Sequence, residues 1–77
     1  MTPLQAREAV AAALAAVAPD ADLGQISDDE DMRTAFELDS IDFQAFAARL
    51  AERTGEPIAE DEYIQLSTVS GCVKFLG

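Results

Sequence analysis

The chain contains no histidine and no tryptophan, only one cysteine, and few basic residues. Without histidine it lacks the commonest general base and the commonest metal ligand of proteins. A single thiol, at Cys72, cannot form an internal disulfide, so the sequence carries no sign of an oxidising compartment. Cys72 could be a reactive thiol, but a small hydrophobic residue buried between helix turns is the commoner role.

Basic residues are outnumbered, with five lysines and arginines against fifteen acidic residues and a formal net charge of −10. Nearly all of the acids lie between Asp20 and Glu62. Such a surface repels the phosphates of nucleic acids and of anionic lipids, and it favours partners with basic patches. The acidity could also serve only to keep a small protein soluble. We expect no nucleic-acid binding and no membrane insertion.

The length of 77 residues predicts a single domain over residues 1–77, with one modest core and no deep active site. The alanine-rich run 9–18 is too short to span a bilayer. Residues 1–5 carry no basic side chain, which argues against a cleaved signal peptide. We therefore expect a cytoplasmic protein, and a monomer because nothing indicates obligate oligomerisation.

The first helix has a clear start, since Thr2 can cap it, Pro3 suits its first position and Gln5 completes a capping box. Its apolar face consists of residues at helical spacing: Ala6, Val10, Ala13, Leu14 and Val17. Pro19 ends it, and a long loop then runs to about Leu38. Within that loop, Ser27–Glu30 could cap a short turn that directs Met32 and Phe36 toward the core.

A second helix is predicted to start at Asp39 or Ser40 and to stop at Thr54–Gly55. Its apolar positions are Ile41, Phe43, Phe46, Ala47 and Leu50. A short third helix is predicted from Glu60–Glu62 to near Leu66, and a last helix follows a cap at Ser67 or Thr68. No segment shows strand alternation, so the sequence predicts a small all-α bundle.

The segment Leu38-Asp39-Ser40-Ile41-Asp42 resembles the acyl carrier protein family, which has an Asp-Ser-Leu/Ile tripeptide at the start of its second helix. The resemblance extends downstream through several segments: Phe46, Leu50, Glu52-Arg53-Thr54-Gly55, Ile58, Ala59-Glu60-Asp61-Glu62 and Leu66-Ser67-Thr68-Val69. One departure is Glu37, which stands where the family often has glycine. Another is the exposed face of the second helix, where alanines replace several glutamates.

The resemblance implies a four-helix bundle of the acyl carrier protein type, with a long loop between helices 1 and 2 and a short third helix. It implies that a phosphopantetheinyl transferase uses coenzyme A and Mg²⁺ to attach 4′-phosphopantetheine to Ser40. Asp39 would cap the helix, and Ile41 and Phe43 would offer apolar surface close to the arm. The chain would then act as a discrete carrier of acyl thioesters in fatty acid or specialised lipid biosynthesis.

The partners implied by the resemblance are the transferase, an acyl- or aminoacyl-loading ligase and acyltransferases with basic docking patches. We assign their docking to part of the second helix: Asp42, Gln44, Ala45, Ala48 and Glu52. The alanines leave an aminoacyl or peptidyl carrier open as an alternative. Phe43 and Phe46 could shape a cavity for the cargo, although core packing explains them equally well.

Interpretations that involve no phosphopantetheine arm also remain open. Asp39 and Ser40 could simply cap a helix, in an unmodified acidic helical interaction module. Catalysis by Ser40 would need an adjacent base. Without histidine the usual triad is impossible, and a lysine base would have to be Lys74, the only lysine, so we predict no enzymatic activity. Asp20-Ala21-Asp22-Leu23-Gly24 starts like a calcium loop but lacks its further ligands and closing glutamate. Asp28–Asp31 could hold Ca²⁺ or Mg²⁺ loosely, but a solvated acidic loop is the commoner case, and we predict no metal site.

Overall fold

A computed structural model describes residues 1–77, and it contains four α-helices and no strands: α1 (Pro3–Val17), α2 (Met32–Ala35), α3 (Ser40–Thr54) and α4 (Val69–Leu76). Three 3-10 turns lie between them, at Leu23–Gln25, Glu60–Glu62 and Gln65–Ser67. The predicted all-α bundle is therefore confirmed. No helix is both long and apolar enough to cross a membrane.

Helix α1 starts as predicted, with a complete capping box between Thr2 and Gln5 and proline at its first position. It packs chiefly against α3 and α4. Small residues on its inner face, Ala6, Ala9 and Ala13, are buried and allow the close approach of the other helices. Val10 and Leu14 fill the space that remains.

The core is entirely apolar, and no polar or charged side chain is buried. Its members come from α1, α2, the end of the long loop, α3, the turn at Gln65–Ser67 and α4: Ala6, Ala9, Val10, Ala13, Leu14, Met32, Leu38, Phe43, Phe46, Ala47, Leu50, Leu66, Val69, Cys72 and Leu76. Its one side-chain hydrogen bond joins the Cys72 thiol to the Leu66 carbonyl at 3.3 Å. Because no charged or polar side chain is buried, the acids, bases and hydroxyls of the chain all have some exposure to solvent.

The long loop is more ordered than the sequence indicated. Ser27–Glu30 forms a turn, but the helical segment inside the loop is α2, which Asp31 caps by accepting the Arg33 amide at 2.8 Å. Met32 is buried and Phe36 half-buried, as predicted. The loop is also tied to α4, because the Ser70 amide donates to the Asp28 carbonyl at 2.9 Å.

The predicted short third helix is present only as two 3-10 turns. Tyr63 and Ser67 each bond back to the carbonyl three residues earlier, at Glu60 and Ile64. Bonds that span three residues are the 3-10 pattern, whereas an α-helix needs bonds that span four. Gln65–Ser67 is the second of the two 3-10 turns between α3 and α4, and we call it the second interhelical turn. Helix α4 packs directly on it.

Candidate functional site

The start of α3 is fixed by a capping box in which both side chains are aspartates. Asp39 Oδ1 accepts the amide of Asp42 at 2.7 Å, and Asp42 Oδ2 accepts the amide of Asp39 at 3.3 Å. Carboxylates are favoured at a helix N-terminus by the helix dipole. Ser40 therefore occupies the first position of α3, as the sequence predicted.

Ser40 is exposed, and its hydroxyl lies at the solvent-facing rim of the helix start. The capping box uses the amides of Asp39 and Asp42, while the amides of Ser40 and Ile41 have no partner in the protein. Unpaired amides at a helix N-terminus favour a nearby anion. The residues present therefore suit a phosphate ester on the Ser40 oxygen.

The chain reaches α3 from α2 through a left-handed turn. Glu37 has a φ of 54°, and it is the only non-glycine residue with positive φ. The next amide, of Leu38, donates to the Arg33 carbonyl at 2.9 Å, which is the six-to-one bond of a Schellman helix end. Glycine adopts this conformation most easily, so the family's frequent glycine and Glu37 serve the same turn.

Arg33 is the residue near Ser40 that the sequence did not reveal. Its Nη2 donates to Ser40 Oγ at 3.4 Å, and its guanidinium carbon lies 5.2 Å from the centre of the Phe43 ring. Arg33 stands seven residues before Ser40, and only α2 and the turn at Glu37 bring the two together. The available signal was a lone base inside a strongly acidic stretch.

Ile41 and Phe43 differ sharply in exposure, which corrects two predictions. Ile41 was grouped with the inward-facing positions of its helix, but it is 76% exposed beside Ser40. Phe43 was expected to offer surface to the arm, but it is 1% exposed. Two positions along a helix correspond to a rotation of about 200°, so these side chains must face opposite ways.

Phe43 packs in an aromatic group beneath the site. Its ring centre lies 5.5 Å from that of Phe46 and 5.6 Å from that of Tyr63. Neither Phe43 nor Phe46 lines any depression of the surface. In this structure both act as core residues, and no cargo cavity is formed around them.

The residues assigned to partner docking fall on one side of α3, with one exception. Gln44, Ala48 and Glu52 are exposed and Ala45 is half-buried. Their spacing of three and four residues continues from Ile41, so these five share a face. Asp42 lies to the side of this face and is occupied by the capping box.

No side chain that could accept a proton is hydrogen-bonded to the Ser40 hydroxyl. The only side chain hydrogen-bonded to the Ser40 hydroxyl is the Arg33 guanidinium, which donates and cannot accept a proton. The one thiol, Cys72, is fully buried, and this burial raises its pKa to about 12. Cys72 therefore remains a protonated core residue near neutral pH, as the sequence predicted for its packing role.

The acids of the long loop have local structural partners. Asp22 accepts the Gly24 amide at 2.9 Å, Asp28 pairs with Arg7, and Asp29 accepts the Ser70 hydroxyl at 2.8 Å. No three acidic or thiol side chains come together in a way that could hold a metal ion. These carboxylates hold the loop against α1 and α4.

Residues 7–76 match the family model described as a phosphopantetheine attachment site. Because the match omits only the first six residues and the last, the chain belongs to this family. It is a carrier protein whose cofactor is covalently attached 4′-phosphopantetheine, which confirms the resemblance. Carrier domains of this family are generally not catalytic themselves, and they interact with phosphopantetheinyl transferases and acyl-handling enzymes. No curated protein and no solved structure shows significant similarity to the chain.

Proposed function

We propose that the protein carries acyl groups as thioesters on a 4′-phosphopantetheine arm attached to Ser40 Oγ. The observation that carries this proposal is the position of Ser40. Its hydroxyl is exposed at the first residue of α3, beside two unpaired amides and the Arg33 guanidinium. All three groups favour the negative charge of a phosphodiester.

The arm supplies a terminal thiol, on which a thioester forms. The chain supplies the Ser40 oxygen and, through Asp39, the rigid backbone that presents it. Since no proton-accepting side chain is hydrogen-bonded to the Ser40 hydroxyl, we assign activation of this hydroxyl to a separate transferase with coenzyme A and Mg²⁺. We propose that the chain itself is not an enzyme, and that the working thiol is that of the arm and not Cys72.

The proposed docking surface is the exposed face of α3 formed by Ile41, Gln44, Ala45, Ala48 and Glu52. Ile41 offers an apolar contact next to the attachment residue, and the net charge of −10 draws basic patches of a loading ligase or acyltransferase. By its resemblance to acyl carrier proteins, the chain would serve fatty acid or specialised lipid biosynthesis in the cytoplasm.

An aminoacyl or peptidyl carrier is the second candidate. It is favoured by the nearly uncharged middle of the docking face, where Gln44, Ala45 and Ala48 leave only Glu52 at the far end. Incubation of the phosphopantetheinylated protein with acyl- and aminoacyl-activating ligases, each with its substrate, separates the two. The mass of the loaded cargo identifies the class.

The attachment site is tested by intact mass after incubation with coenzyme A, Mg²⁺ and a broad-specificity phosphopantetheinyl transferase. We expect the wild type to gain one phosphopantetheine and Ser40→Ala to gain none. Ser27→Ala is the matched control, because Ser27 is also exposed and its hydroxyl makes no hydrogen bond. Modification of Ser40→Ala, or none of the wild type with several transferases, would overturn the proposal and favour an unmodified acidic interaction module.

A thiol-labelling assay gives a second, independent readout. The buried Cys72 should react slowly with a thiol reagent at pH 8, because burial keeps its thiolate scarce. Phosphopantetheinylation should add one rapidly labelled thiol per chain. The same increase should appear in Cys72→Ala, and its absence there would show that the new reactivity comes from an opened core.

A further inference from the structure

Four of the five basic residues pair with no acidic side chain, and Arg33 is the one of these four that contacts the Ser40 hydroxyl. The chain has fifteen acids, yet its only ion pair joins Arg7 to Asp28. The Arg33 side chain instead contacts the Ser40 hydroxyl and the face of the Phe43 ring. A cation left without a carboxylate in so acidic a protein is available to another anion.

The backbone of Arg33 and its guanidinium both have contacts that place them. The backbone amide donates to Asp31 Oδ1 at 2.8 Å, and the backbone carbonyl accepts the Leu38 amide at 2.9 Å. Its guanidinium lies on Phe43, a ring that is itself fixed by Tyr63. Since stacking restricts the guanidinium, little rotamer freedom remains to be lost when it binds a ligand.

The residues around Ser40 are mostly acidic, so a nearby cation would stabilise a further negative charge there. Asp39 and Asp42 flank the serine, and Asp31 and Glu37 lie in the segment leading to it. A phosphodiester on Ser40 adds another negative charge to this acidic surface, which is unfavourable unless a cation offsets it. Arg49 and Arg53 are on the same helix, but about 14 and 20 Å farther along it.

We propose that Arg33 binds the phosphodiester at the base of the arm. This inference rests on the proposed attachment at Ser40. The guanidinium already donates to Ser40 Oγ, the atom that would become the ester oxygen, so the other oxygens of the same phosphate come within its reach. Arginine presents several N–H groups in a plane and suits a phosphate better than a lysine would. Arg33 is thus a positioning residue that orients the arm.

The experiment compares unmodified and phosphopantetheinylated protein by NMR, after intact mass has verified the modification. The arginine side-chain N–H signals of the wild type report on the guanidinium, and the ³¹P signal reports on the phosphodiester. Variants Arg33→Gln and Arg53→Gln remove the same charge from different places. Arg33→Lys keeps the charge and loses the planar geometry.

On modification, we expect the Arg33 side-chain signal to shift while those of Arg7, Arg49 and Arg53 stay in place. The ³¹P signal should move in Arg33→Gln, move less in Arg33→Lys and stay in Arg53→Gln. Modification should also change the melting temperature of the two proteins differently, by about 2 °C in favour of the wild type over Arg33→Gln. This difference should become smaller as the salt concentration rises.

A purely structural role for Arg33 would lower the melting temperature equally with and without the arm. The inference is overturned if the Arg33 signal is unchanged on modification, or if the ³¹P signal is the same in Arg33→Gln and Arg53→Gln. Should Arg33→Gln fail to fold, the wild-type side-chain signals decide alone. Failure of the attachment proposal is distinct, because the wild type would then gain no mass.

Discussion

The start of α3 and the start of α4 are built differently. At the start of α3, hydrogen bonds hold Asp39, Asp42 and Arg33 around an exposed serine. At the start of α4, the helix packs against the second interhelical turn with almost no space between them. Ser40 has open solvent on one side and the Arg33 guanidinium on the other. Gly71, in α4, lies so close to the turn that a Cβ atom there would be 1.8 Å from the Gln65 carbonyl oxygen.

The difference shows how so small a protein combines a packed core with a serine hydroxyl that stays accessible from the solvent. Burial near Gly71 and Cys72 supplies stability, while the Ser40 end keeps its chemistry in the solvent. Substitutions at the packed end should therefore change the free energy of unfolding. Substitutions at the open end should change it little and act mainly on modification.

The largest effect is expected from Gly71→Ala. The added methyl would overlap the Gln65 carbonyl, a backbone group that cannot move without shifting the turn, so we expect a loss of about 3 kcal/mol or more. The control is Gly55→Ala. A Cβ atom at Gly55 would meet no atom within 4 Å, but the φ of 75° disfavours alanine, so this substitution should cost only about 1 kcal/mol. Urea unfolding measures both, and equal losses would contradict the close contact.

The next effect is a loss of stability at alkaline pH through Cys72. Burial raises the pKa of this thiol from 9.0 to about 12. The unfolded chain therefore loses the proton from about pH 9, while the folded protein keeps it. Stability from this group is complete below pH 9 and falls as pH rises toward 12, by roughly 1.4 kcal/mol per pH unit.

Urea unfolding of wild type and Cys72→Ala between pH 8 and 10.5 measures this slope. We expect the wild type to lose about 2 kcal/mol more than the variant over the range above pH 9. All other ionisable groups are common to the two proteins, so their contributions cancel in the comparison. Parallel pH profiles would show that the thiol is not protected from ionisation.

At the open end, Asp39→Ala should cost about 1 kcal/mol through loss of the cap. Asparagine is an equally good cap, so Asp39→Asn should retain most of the stability. Asp61→Ala is the matched control, because Asp61 is an exposed acid with no hydrogen bond. Of these variants, only Asp39→Ala should show faster hydrogen exchange at the Asp42 amide, because it alone loses the bond to that amide. Unchanged exchange at this amide in Asp39→Ala would exclude the capping role.

The smallest effect is expected from Glu37→Gly, and it should be stabilising by roughly 0.5 kcal/mol. Glycine relieves the left-handed backbone at φ 54°, and this gain exceeds the entropy that glycine adds to the unfolded chain. Glu56→Gly removes the same charge at an exposed position without positive φ and should destabilise. Thermal melting of both variants, measured side by side, tests the difference in sign.

Capping residues were the most predictable part of the fold. Thr2, Asp39 and Thr68 cap α1, α3 and α4, and Gly55 ends α3 in the left-handed conformation. Each of these depends on hydrogen bonds between neighbours in sequence, which composition and spacing reveal. The start of α3 at Ser40 was predictable for the same reason.

The errors have equally local causes. Ile41 was grouped with the buried positions because it is apolar, although helical spacing from Phe43 places it on the outer face. The short third helix was predicted from its acidic first turn. That signal does not distinguish an α-helix from the 3-10 turns at Glu60–Glu62 and Gln65–Ser67.

The sequence by itself determined α1, α3 and α4, their caps and the Asp39-Ser40-Ile41 motif, because these depend on residues within one or two helical turns. Only the tertiary structure placed Arg33 beside Ser40 and on the Phe43 ring. It alone showed that Gly71 must lack a side chain, since the Gln65 carbonyl occupies that space. Both facts depend on how separate segments pack, and no spacing along the chain records which surfaces of two segments will meet.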